Sequence, residues 1–279
     1  MSYQGKTVAF LTQHLKDRLL HPIFFERLGC EIIRAEGFDT DQLGTFTRDV
    51  PRYDSQLATA RAKALKSIEL TGESIGLGSE GAFGPDPVSG MMPWNTEILV
   101  WIDTSDNTEV TGVAQGVGCH LHSTVTHLND LLKFASSAQF PEHALVMRPD
   151  SADDTRVCKE LTSWPSLITA FEKLQTQSGN GQVFVEVDLR AHRNPTRQQM
   201  IRRAADDLIE KLLSVCPSCN RPGFSEKDRI PGKPCALCRN PTRLPKVHIW
   251  RCDGCGAEDH KHMALTDLAD PSRCDVCNP

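Results

Sequence analysis

Eight of the eleven cysteines fall between Cys216 and Cys277, in four pairs of the form Cys-x-x-Cys: CPSC, CALC, CDGC and CDVC. Zinc binds thiolates tetrahedrally at about 2.3 Å, and two intervening residues let a tight turn aim both sulfurs at one ion while backbone N–H groups face them. Each pair therefore supplies half a site. Gaps of fifteen, thirteen and eighteen residues between successive pairs match the separation of knuckles in zinc ribbons. Eight thiolates fill two four-ligand sites and leave no open coordination position, so two structural zinc ions are expected. Sequential pairing puts Cys216, Cys219, Cys235 and Cys238 on one ion and Cys252, Cys255, Cys274 and Cys277 on the other. A cross-braced alternative joins the first pair to the third and the second to the fourth. The sequential arrangement is favoured because each half then closes a shorter loop. His260 and His262 read as surface residues beside so many thiolates.

Two further stretches hold candidate chemistry. In SIGLGSEGAFGPDP, residues 74–87, four glycines surround Glu80. Ile75 and Leu77 alternate with glycine, which leaves room for a helix or ligand against the strand backbone. Glu80 is expected at or just past the strand end, where α/β sheets place metal or phosphate chemistry, with Gly81 and Gly84 allowing turns at positive φ. The preceding helix carries Arg61, Lys63 and Lys66, and the strand after it holds Glu97 and ends at Asp103. The segment DLRAHRNPTR, residues 188–197, reads as a strand end followed by a helix with Asn194 as cap and Pro195 in its first turn. Free N–H groups there, with Arg190, His192, Arg193 and Arg197 around them, would suit a phosphate or carboxylate. Cys119 lies close to His120, His122 and His127 without an evident third orienting group, and Cys30 and Cys158 have no partners in the pattern.

These residues need a scaffold, and the first 213 residues read as alternating strands and helices. TVAFLTQ, CEIIRAE, residues 74–80, TEILVWID, EVTGVAQG, HALVMRPD and QVFVEVDLRAH have strand character. HPIFFERLG, SQLATARAKALKSIEL behind Asp54 or Ser55 as N-cap, HLNDLLKFASSA, WPSLITAFEKLQTQ and TRQQMIRRAADDLIEKLLS have helical periodicity. Three consecutive strands in the middle predict a mixed sheet flanked by helices, an α/β domain over 1–213, followed by a small double zinc-ribbon module over 214–279.

At 279 residues, with 39% hydrophobic and 24% charged side chains, the composition is that of a globular protein, and no apolar run reaches the roughly 18 residues that span a bilayer. A secretory signal is not visible at the N-terminus, which points to the cytoplasm and to reduced cysteines. Net charge is −5, yet the segment from Arg190 to Arg251 has fourteen bases against five acids, a candidate anion-binding region. Oligomeric state is not legible.

The combination of GSEGAFGPDP, RAHRNPTR and a tail running from CPSC to CDVCNP resembles, over nearly the whole chain, a bacterial family catalogued only as a domain of unknown function. GTFTRDVPR followed by ARAKALKSIELTGESIGLGSEGAFGP is similar in order to the house-cleaning nucleoside triphosphate pyrophosphatases, such as the inosine and xanthosine triphosphatases. That second likeness implies magnesium held by Glu80 and phosphates held with help from Lys63. Where those enzymes carry Thr-x-Asn-x-x-Lys, this chain has LTQHLKDR. The resulting expectation is a magnesium-dependent hydrolase of a phosphorylated small molecule, a nucleotide phosphoanhydride in particular. Glu80, with Asp103 or Glu97, would hold the metal, His192 would act as acid or base, and Lys63, Gly81, Gly84, Arg190, Arg193, Asn194 and Arg197 would surround the ligand. The competing expectation is a non-catalytic zinc-ribbon protein that binds nucleic acid or a protein partner. Its nucleic-acid form is the less favoured, because Trp250 and Phe224 are the only aromatics the tail offers for base stacking.

Overall fold

In a computed structural model, residues 3–40, 55–264 and 266–279 are described. The chain divides into two compact units, one reaching to Ile209 and one running from Glu210 to Pro279. All of GTFTRDVPR, residues 44–52, and the candidate cap Asp54 lie outside the described residues.

The first unit begins with a five-stranded mixed sheet. Its elements in chain order are β1 (Thr7–Phe10), α1 (Lys16–Leu28), β2 (Glu31–Arg34), α2 (Gln56–Thr71), β3 (Ile75–Pro85), β4 (Pro93–Asp103) and β5 (Thr108–Val117). The strand order is β2-β1-β3-β4-β5. β1 runs parallel to both β2 and β3, and the rest is an antiparallel meander. Strands are thus added to one side of β1 as β2 and then to the other as β3, so the order of winding reverses between β1 and β3, the switch point at which α/β sheets open a crevice beyond their strand ends. α1 covers one face, with Phe24 stacked on Trp101 at 6.2 Å. α2 covers the other, where Ala60 and Ala64 pack with Val100 and Ile102.

Ser55 caps α2, its side chain accepting the Ala58 N–H. This helix lies against the backbone of β3: a Cβ placed on Gly78 would come within 1.8 Å of the Ala60 carbonyl oxygen. The glycines of the SIGLG stretch thus serve helix–strand contact rather than turning.

A second, four-stranded antiparallel sheet follows, from β6 (His122–Val125), α3 (Leu128–Ser137), β7 (Leu145–Pro149), β8 (Cys158–Leu161), α4 (Trp164–Gln177) and β9 (Val183–Val187), in the order β6-β9-β7-β8. Its core gathers Leu131, Leu145, Met147, Leu167, Phe171 and Val185. α5 (Pro195–Leu213) then returns to the first sheet, where Gly112 lies under Ala204 and Leu208. No described helix is long and apolar enough to cross a membrane.

The second unit contains a three-stranded antiparallel sheet, β10 (Ser225–Pro231), β11 (Pro245–Arg251) and β12 (Glu258–His262), in that order. Its apolar core is small: one cluster gathers Cys216, Phe224 and Cys252, with Trp250 and Ala257 beside them, and Val247 and Ile249 of β11 are also buried.

Candidate functional site

The eight cysteines converge as two tetrads, Cys216, Cys219, Cys252 and Cys255 in one and Cys235, Cys238, Cys274 and Cys277 in the other, each with its four sulfurs within 4.8 Å of one another. Each tetrad could hold one zinc ion. The pairing is cross-braced, which corrects the sequential expectation. The Cys216 and Cys255 sulfurs lie 3.7 Å apart, and those of Cys238 and Cys274 lie 3.6 Å apart. Loop length discriminates weakly, since doubling a loop costs only about 0.6 kcal/mol, and strand pairing over β10–β12 decides which knuckles meet. Backbone N–H groups of Ser218, Leu237 and Gly254 each point at the first sulfur of their knuckle, at 3.4 Å. The Cys216 thiol, although burial works against ionisation, is pulled below its ordinary pKa by backbone N–H donors and by the neighbouring Cys255.

The second constellation sits at the switch point of the first sheet. Glu80 is not at a strand end: β3 continues to Pro85, and Glu80 lies opposite Ile98 within the ladder. Its carboxylate receives Lys63 Nζ at 2.6 Å, and both side chains are buried. Gly81 is extended rather than turned, directly opposite Glu97. A Cβ there would lie 2.3 Å from a Glu97 carboxylate oxygen and 2.5 Å from the Arg197 guanidinium. Glu97 and Arg197 form the second buried pair at 2.7 Å, each about 1% exposed, and Asn95 donates to the same carboxylate at 3.2 Å. Because side chains alternate along a strand, Glu80 and Glu97 point to opposite faces of the sheet.

Asp103 does not join them. It faces Ile75 at the other end of the hairpin, about 16 Å away along β3 at roughly 3.3 Å per residue. There it accepts from Lys6 at 3.3 Å and from Ser105, closing the turn after β4.

The RAHRNPTR segment is built largely as its spacing suggests, with its charges already engaged. Asn194, fully buried, accepts the Arg197 N–H at 2.9 Å and caps α5. Arg190 grips Asp188 at 2.6 Å and Glu160 at 2.8 Å, and Arg193 also pairs with Glu160. Those acids come from β8 and the end of β9. Gly84 is different: a Cβ there would meet open space.

A residue the sequence reading left unassigned completes the cluster. β1 pairs with β3 only as far as Leu77. Past that point His14 and Leu15 take left-handed backbone angles, φ 62° and 59°, and turn Lys16 back into the crevice. Lys16 Nζ donates to Ser79 at 2.7 Å. Burial first, then the Arg197 charge, lowers the Lys16 pKa to about 7, while Glu97 and Glu80 pull the other way. The His14 ring stacks on His192 at 5.3 Å and is pushed down to about 3 by burial and by His192, Lys16 and Arg190. α1 starts here with no side-chain cap on its first N–H groups. The only signal for this arrangement in the sequence is LTQHLKDR directly after the first strand.

The model of a domain of unknown function, DUF6671, matches residues 63–279. The chain belongs to that family. The DUF6671 match takes in α2 from Lys63, both buried ion pairs and all eight tail cysteines. No curated protein and no solved structure matches the chain, so the likeness to the triphosphate pyrophosphatases gains no support from these comparisons.

Proposed function

We propose that the first unit binds a phosphorylated small molecule, with nucleotides as the substrate class, and hydrolyses a phosphoanhydride with the help of a divalent metal. The observation that carries this reading is the set of three buried cationic side chains around the middle of β3, Lys16 from α1 and Arg197 from α5 on the Glu97 face and Lys63 from α2 on the Glu80 face, with both Arg197 and Lys63 bearing on the Lys16 charge. Buried charge is costly unless an opposite charge compensates it. Here Glu80 and Glu97 compensate two of the three cations, and Lys16 rests on a neutral hydroxyl. An anion entering beside the uncapped start of α1 would supply the remaining charge and raise the Lys16 pKa again.

In this reading Lys16 and Arg197 hold phosphate oxygens. Glu80 is the residue that would hold a divalent metal ion, with Lys63 beside it as a further positive charge. Held there, a divalent ion would offset phosphate charge and supply an activated water for cleavage of the bridging P–O bond. His192, neutral and stacked on His14, would move a proton in this reading. Asp103 has no part in it.

The test is a panel of nucleoside mono-, di- and triphosphates with magnesium or manganese. Glu80→Gln is expected to keep the melting temperature within a few degrees and to lose tenfold or more in turnover, about 1.4 kcal/mol of barrier. A wild-type protein that turns over no member of the panel removes the hydrolase reading. A Glu80→Gln protein that melts far lower with turnover intact makes the Lys63–Glu80 pair purely structural.

A further inference from the structure

Beyond Gly81, the β3–β4 hairpin carries a second feature. A cavity of about 330 Å³ lies between its tip and the segment after β5, lined by Gly84, Pro85, Met91, Met92, His120 and His122 among others. Its wall is preorganised. The Asp86 carboxylate accepts N–H groups from Val88, Ser89, Met91 and Met92 at 2.6 to 3.0 Å, together with the Ser89 hydroxyl. These donors, the Ser89 hydroxyl foremost, hold the Asp86 carboxyl well below the usual range. The hairpin tip is thereby fixed although Met91 is 85% exposed.

The lining is unusual for a polar ligand such as a sugar. It contains no carboxylate and no side-chain amide, but two thioethers, two prolines and two imidazoles. Such walls suit a flat heterocycle held by its faces and fixed by one or two edge hydrogen bonds. His120 can supply one, since its buried Nδ1 has no hydrogen-bond partner. Burial, with His122 nearby, lowers its pKa and keeps the ring neutral, with one nitrogen donating and the other accepting.

Phe83 stands between this cavity and the buried charges. On one side its ring lies 5.5 Å from the His120 ring, edge to face. On the other, the Arg197 guanidinium is 5.7 Å from its centroid. A ligand with phosphates at Lys16 and Arg197 can therefore pass Phe83 and set a heterocycle against His120.

We propose that the cavity between the β3–β4 hairpin tip and His120–His122 is the nucleobase subsite of the phosphorylated ligand. This rests on the phosphate site proposed above, which it deepens by naming what the ligand carries besides phosphate.

Calorimetric titrations of the zinc-loaded full chain, without added magnesium, separate the two ideas. The probes are inorganic tripolyphosphate and the common ribonucleoside triphosphates. At least one nucleotide is expected to bind about tenfold or more tightly than tripolyphosphate. Gly84→Phe should fold, because the added side chain projects into open space. It should erase that advantage while leaving tripolyphosphate binding unchanged, and His120→Ala should reduce the advantage in the same way. Should Gly84→Phe melt early, Met91→Asp at the exposed rim serves instead. If tripolyphosphate binds as tightly as every nucleotide, or if the plugged variant keeps the nucleotide advantage, the base subsite is overturned and the phosphate site stands. If neither probe binds, both are overturned.

Discussion

The two units of this protein deal with charge and burial in opposite ways. In the first, the sheet around β3 buries whole charged side chains on both faces and balances them in pairs: Lys63 with Glu80 on one, Arg197 with Glu97 on the other. In the second, the buried apolar residues that are not cysteines, among them Phe224, Val247 and Ile249, are too few to hold 70 residues together, and the sulfur tetrads take the place of a larger core. Basic residues of the second unit pair at the surface instead. Lys227 meets Asp253 and Arg251 meets Glu258, both at 2.6 Å, and Arg243 meets Asp275 at 2.9 Å. The positive excess around Arg190–Arg251 is therefore not a bare cationic strip, and its local charges are largely answered by acids from neighbouring strands and knuckles. A buried pair is a commitment of the fold, whereas an exposed pair adjusts to solvent and salt.

The sharpest way to break this contrast is to remove metal. Elemental analysis is expected to find two zinc ions per chain, and a strong chelator should unfold the second unit while the first keeps its melting transition. The cross-braced pairing makes a finer claim. Cys216→Ser with Cys252→Ser should cost one ion, because both serve the same tetrad, whereas Cys216→Ser with Cys235→Ser should cost two. The reverse pattern would restore the sequential pairing.

Next in size is the buried pair. Arg197→Met leaves the Glu97 carboxylate, about 1% exposed, without its charge partner, which typically costs about 3–5 kcal/mol. Denaturant unfolding should show it, and Glu97→Gln in the same chain should recover much of the loss. A change under about 1 kcal/mol would mean that water reaches the pair.

A smaller, pH-dependent effect belongs to Lys16. Its folded pKa, about 7, lies below the ordinary lysine value near 10.5. Between those values the unfolded chain binds the extra proton, so this group makes stability rise with pH across that window. Lys16→Met should flatten the rise, read as the difference between the two unfolding curves from about pH 7 to 10. Parallel curves would show that Lys16 stays solvated. By the same logic, binding of an anion that needs Lys16 protonated should weaken as pH rises above about 7.

The smallest effect is expected at the surface of the second unit. Arg243→Ala removes one partner of a pair whose side chains are 87% and 65% exposed. Its melting temperature should not move measurably at physiological salt. A clear drop would mean that this pair helps to hold the second tetrad.

Much of the site was legible locally. The Cys-x-x-Cys knuckles, the Asn194 cap and the close helix–strand packing at Gly76 and Gly78 follow from spacing and backbone sterics within a few residues. Position along an element was less secure. Glu80 was expected at a strand end because glycine and proline follow it, yet β3 absorbs those residues in a ladder with β4. Gly81 and Gly84 mark close approach and open space, not turns.

The sequence by itself determined which side chains are available: eight thiolates in knuckles, alternating strands and helices enough for a mixed sheet, and a capped basic helix start. Tertiary structure decided who meets whom. Lys63 finds Glu80 seventeen residues away, Lys16 finds Ser79 at sixty-three, and Arg197 finds Glu97 at one hundred. The knuckles likewise skip their sequence neighbours. The physical reason is the same in each case. Spacing governs contacts inside one turn or one strand, where the backbone period fixes geometry. Contacts between elements depend on strand order and on which face each helix covers, and these emerge only when the whole sheet is assembled.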